Sequence, residues 1–94
     1  MILVMMEGHV TEDCWDDLQR AYADAMTHCP DTILLSLLTH DSHDPTVWRV
    51  LTVWESQEAL ETYYESGGTM PSTYAFHQLG IVPVGTPSDV VAYV

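Results

Sequence analysis

The 94-residue chain sets fourteen acidic side chains against two arginines and no lysine, for a formal charge of −12, with 47% apolar and 17% charged residues. Counterion-release binding to a phosphate backbone needs clustered cations, so nucleic acid is excluded as a partner, and anionic membrane surfaces with it. One domain covering residues 1–94 is expected, and a chain of this size buries only about 60–65% of its unfolded surface, so association would add usefully to its stability.

The opening residues 1–6 are apolar but too short for a signal-peptide core and lack a basic flank, so they predict a strand over residues 2–9. Its two sides, Ile2, Val4 and Met6 against Leu3, Met5, Glu7 and His9, both begin apolar, which suits a central strand. From Glu12 the spacing turns helical, with Cys14, Trp15, Leu18, Ala21, Tyr22, Ala25 and Met26 in one broad stripe. Thr11 is the expected cap, and His28 and Pro30 mark the finish. Arg20 lies four residues from both Asp16 and Asp24, the spacing of a surface ion pair. Cys14 and Cys29 fall near opposite ends of this helix, roughly 20 Å apart, too far for a disulfide, which fits a reducing cytoplasm.

Residues 32–39 form the expected second strand, again apolar on both sides, and residues 40–46 its connection to the third. Trp48 begins a run rich in β-branched and aromatic residues that ends at Trp54-Glu55-Ser56 and passes directly into a helical pattern at Ala59, Leu60, Tyr63 and Tyr64. Ser56 is the natural N-cap and Gly67-Gly68 the exit. Pro71 opens a short third helix that carries Tyr74, Phe76, His77 and Leu79 and stops at Gly80. A fourth strand is expected over residues 81–85, a break at Pro87, and a last extended segment, residues 89–94, free to pair with a neighbour. The order βαββαβ implies an α+β, ferredoxin-like antiparallel sheet with the helices on one face. The bare face would then be apolar, and a homodimer joined through it is the simplest cover.

A strand ending in Trp54-Glu55-Ser56 that feeds a Ser-x-Glu-Ala-Leu helix, with the Asp44-Pro45 turn before it and Ser66-Gly67-Gly68-Thr69 after it, resembles the antibiotic biosynthesis monooxygenase family. The resemblance covers nearly the whole chain and implies a dimeric α+β barrel. It also implies cofactor-independent oxidation, by dioxygen, of a small aromatic such as a hydroquinone or anthrone. The alternative is a non-catalytic, dimeric small-ligand-binding protein of the same fold. The haem-degrading branch is disfavoured. It uses an asparagine on the first strand, a tryptophan in the second helix and a histidine soon after, whereas this chain has no asparagine, Tyr63 at the tryptophan spacing and Thr73 at the histidine spacing, with His77 one turn later.

Such chemistry needs an apolar slot for a flat ring, a proton acceptor and donors to an oxyanion. His77 is the candidate base or proton shuttle, its alternative a partly exposed helical histidine. Arg49 could donate to a phenolate or pair with an acid across the strands. Tyr63 is a further catalytic candidate; Trp54, Tyr64, Tyr74 and Trp48 are candidates to bind the ring, against a structural role for each in the core. The histidines and carboxylates at 40–44 fit a polar hairpin tip better than a metal site. No Gly-rich turn is present to cradle a flavin or nicotinamide, so no cofactor is expected.

Overall fold

A computed structural model describes residues 1–93 as four strands and three helices. Strands β1 (Ile2–His9), β2 (Ile33–His40), β3 (Val47–Trp54) and β4 (Val84–Asp89) form one antiparallel sheet in the order β2-β3-β1-β4, the ferredoxin-like arrangement. Helices α1 (Trp15–Met26), α2 (Gln57–Glu65) and α3 (Pro71–His77) cover one face. None of the described helices is long and apolar enough to cross a membrane.

Strand alternation and register sort the sheet into two surfaces. On the helix side Trp48, Val50, Thr52 and Trp54 of β3 are buried beside Ile2, Val4 and Gly8 of β1. Leu18, Ala75 and Phe76 pack onto Trp48 and Val50 as one core cluster, and Leu60 and Met70 onto Ile2, Val4 and Trp54 as a second. Gly8 is required where it stands, because a β-carbon there would lie 2.7 Å from the Phe76 ring. The other side carries the cross-strand rows Leu35-Val53-Leu3-Ser88, Leu37-Leu51-Met5-Thr86 and Thr39-Arg49-Glu7-Val84. Nothing in the described chain covers it, and Leu35 and Leu37 remain about half exposed, at 52% and 48%.

Three expectations are corrected. The first helix starts later than Glu12: residues Glu12–Cys14 form a 3-10 turn, because the Thr11 hydroxyl donates to the Asp13 carboxylate instead of capping backbone N–H groups. Arg20 pairs with Asp17, three residues away, at 2.7 Å. The fourth strand is Val84–Asp89, so Pro87 lies inside it, opposite Val4. An edge strand bonded only to β1 tolerates the missing N–H. Pairing even continues past it, with Val90 N–H donating to Met1 O at 3.1 Å, so the last segment begins against its own chain; Val94 lies outside the described residues.

The hairpin tip between β2 and β3 is built from carboxylates that hold backbone. Asp41 accepts N–H bonds from Asp44 at 2.7 Å and His43 at 3.0 Å, and Asp44 accepts from the Thr46 hydroxyl at 2.8 Å and its N–H at 3.0 Å. The Arg49 guanidinium, then the Asp44 and His43 N–H groups, hold the Asp41 carboxyl far below the usual range, and Thr46 lowers Asp44. A carboxyl whose folded pKa lies below its unfolded value contributes stability above the unfolded value, near pH 4, and loses it as pH falls further. Urea unfolding should therefore show stability falling below about pH 4, with a shallower fall in Asp41→Asn. An identical acid slope in both proteins would contradict this assignment.

Candidate functional site

Helix α2 separates two hollows. Its Ser56 cap accepts Ala59 N–H at 3.0 Å, which starts the helix after only two residues beyond the strand and fixes the direction of its side chains over the sheet. The consecutive residues Tyr63 and Tyr64, about 100° apart around the helix, then line different spaces.

The first is a cleft of about 280 Å³ between α2 and the β1–β4 edge, floored by Ile2, Val4, Met6, Gly85 and Pro87 and walled by Leu60, Met70, Gln57 and Tyr64. It is apolar except for the Gln57 amide and the Tyr64 hydroxyl. Burial, then the neighbouring Tyr63, pushes the Tyr64 phenol up, so it is a proton-bearing donor at neutral pH. Gly85 keeps the floor open, since a β-carbon there would meet Met6 Sδ at 2.8 Å. The second hollow, about 250 Å³, lies among the helices and is lined by Asp24, Ala25, His28, Tyr63, Thr69, Pro71 and Tyr74. Tyr63 is tied there, donating to Thr69 O at 2.9 Å while its ring leans on Trp54 at 5.3 Å.

The sequence candidates are thus divided. Tyr64 lines the cleft beside the sheet, Tyr63 and Tyr74 the hollow among the helices, and Trp54 is wholly buried. His77 is exposed at the end of α3 and lines neither space. Arg49 lies on the uncovered face, donating to Glu7 at 2.7 Å and to Asp41 at 2.8 Å, and those two carboxylates raise its pKa, Asp41 most. Trp48 is buried and stacked on His40 at 4.0 Å. His40 Nε2 lies 2.7 Å from Pro45 O and so carries the proton. No group of three or more metal-ligating side chains occurs among the described residues.

Gln57, Leu60, Met70 and Gly85 were not anticipated as lining residues. Gly85 alone left a signal, a glycine in a strand where close approach is needed. Asp24 and His28 left another, four apart on α1 and hence on one face.

No protein-family model and no curated protein matches the chain. Solved structures do. A protein from Deinococcus radiodurans, provisionally named an antibiotic biosynthesis monooxygenase, is 16% identical over 100% of this chain and 96% of its own, with a TM-score of 0.76. One from Caulobacter crescentus with the same provisional name is 22% identical over 97% and 90%, with a TM-score of 0.75. A mutant of MhuD with two manganese protoporphyrin IX molecules bound per active site is 19% identical over 100% and 98%, with a TM-score of 0.74. The chain has their fold. No lysine occurs in the sequence and neither arginine lines either of the two hollows, so no cation is placed there to meet a porphyrin's propionates. Arg20 is bound to Asp17, Arg49 is committed on the opposite face, and the net charge of −12 repels a dianion.

Proposed function

We propose that this protein is a homodimer, joined through the uncovered sheet face, that binds a small flat aromatic between α2 and the sheet and oxidises it with dioxygen without metal or flavin. The observation that carries the reading is the cleft itself, an apolar slot of about 280 Å³ with two polar groups, Tyr64 and Gln57, on one wall. The names of the similar structures support oxygenation as its chemistry. With an anthrone, the substrate's methylene is the only electron source, its four-electron oxidation to a carbonyl matching the reduction of dioxygen to that carbonyl's oxygen and one water. The carbanion left by proton loss gives one electron to dioxygen, the radical pair joins as a peroxide, and collapse yields the quinone and one water. Tyr64 and Gln57 act as donors to the substrate oxyanion. His77 and Arg49 take no part, His77 because it lies outside the cleft and Arg49 because it lies on the opposite face.

One observation favours a second reading, binding without turnover. No carboxylate, histidine or lysine lines the cleft, so proton removal falls to water or to a substrate that enters as its anion. An oxygen electrode separates the two. Saturable uptake with anthrones or hydroquinones, lowered about a hundredfold in Tyr64→Phe, is the expected result. Ligand-dependent quenching of tryptophan fluorescence without any uptake would establish the second reading and reject the first.

A further inference from the structure

The apolar cleft adjoins a third hollow, of about 230 Å³, lined by Ile2, Gln57, Pro87, Ser88 and Asp89. Ile2, Gln57 and Pro87 line both spaces, so a ligand seated in one can extend into the other. Strand register gives the change of chemistry between them. Met6 stands opposite Gly85, Val4 opposite Pro87 and Ile2 opposite Asp89, all on the side of the sheet that the helices cover. The apolar floor therefore ends at a carboxylate, two residues and about 7 Å beyond Pro87.

Asp89 takes part in none of the ion pairs among the described residues, where Arg20 holds Asp17 and Arg49 holds Glu7 and Asp41, and the chain has no lysine. Gln57, in the same hollow, adds a second acceptor. Its Nε2 donates to Glu61 Oε1 at 3.1 Å. An ionised carboxylate only accepts, so this bond fixes which end of the amide is nitrogen and leaves the carbonyl oxygen unbonded among the described residues. The N-terminus of α2, which favours anions, is already met by the Ser56 oxygen and by Glu58 in its first turn.

Resting on the cleft assigned above, we infer that Asp89 and the Gln57 carbonyl form a cation subsite at its end, and that the ligand is an arylalkylamine. The ring lies in the apolar cleft, and an ammonium, which has three donors and no acceptor, meets the Asp89 carboxylate and Gln57 Oε1. The step of about 7 Å from Pro87 to Asp89 sets an arm of about two carbons between ring and nitrogen. The same carboxylate turns away an aromatic that ends in an acid. A formal charge of −12 draws cations to the whole surface, so the contribution of Asp89 has to be read against that background.

The test is titration calorimetry at low salt with 2-(1-naphthyl)ethylamine, its neutral counterpart 2-(1-naphthyl)ethanol and the anionic 3-(1-naphthyl)propanoic acid. The native protein should bind the amine about fivefold more tightly than the alcohol, and the acid most weakly, with the preference for the amine shrinking as salt is added. Asp89→Asn, at an exposed position, should bring the amine to the level of the alcohol and leave the alcohol unchanged. Asp16→Asn, which removes the same charge from exposed α1 surface, should keep the preference. No preference for the amine in the native protein, an undiminished preference in Asp89→Asn, or an equal loss in Asp16→Asn would overturn the inference. Failure of all three compounds to bind the native protein would instead remove the cleft assignment, and the inference with it.

Discussion

Leu51→Asp should turn a dimer into a folded monomer. Leu51 sits mid-strand in β3 on the uncovered face, flanked by Leu37 on β2 and Met5 on β1. In a two-fold interface each substitution appears twice, so two carboxylates would enter an apolar contact with no cation directly across the strands. An unpaired buried charge costs about 3–5 kcal/mol, enough to raise a dissociation constant by about a thousandfold or more. The monomer should survive, because Leu51 belongs to neither core cluster and the helices pack on the other face. Sedimentation velocity at micromolar concentration reads both states. A native protein that sediments as a monomer would reject the dimer, and a variant that stays dimeric would move the interface elsewhere.

Trp54→Ala should be the most damaging substitution within the core. Trp54 is the largest fully buried side chain, joining Ile2 and Val4 of β1 to Leu60 and Met70 and touching the Tyr63 ring. Truncating a buried tryptophan costs about 3–5 kcal/mol in lost burial and residual cavity, a large part of the roughly 5–15 kcal/mol that holds a small domain together. At about 4–8 °C per kcal/mol, the melting midpoint should fall by roughly fifteen degrees or more. A midpoint within about two degrees of the native value would show that the indole is not the keystone of the second cluster.

The fold was legible where local chemistry and tertiary need coincide. Trp54-Glu55-Ser56 reads as a strand entering a helix because Ser56 caps whatever the surroundings, and the cap forms as expected. The ends of the chain were harder. Pro87 reads locally as a break, and only its place on an edge strand, set by the order of four strands, allows it inside β4. The site was less legible still. Helix α3 spans seven residues, too few turns for spacing to decide that Ala75 and Phe76 turn inward while His77 faces out. Arg49 has partners 42 and 8 residues away, and the ion pair with Glu7 exists only through strand register. Tyr64 was legible as a candidate to bind the ring and does line the cleft, whereas Gln57, also on α2, joined it only through the placement of that helix beside the β1–β4 edge, which no local pattern encodes.

The central claim is that an aromatic ligand enters between α2 and the sheet, and mapping of amide chemical shifts tests it most directly. With 1,4-dihydroxynaphthalene titrated under argon, the shifts should concentrate at Ile2, Val4, Leu60, Tyr64, Met70 and Gly85, the residues of the apolar cleft. Shifts confined to Asp24, His28, Thr69 and Tyr74 would place the ligand in the hollow among the helices and contradict the account.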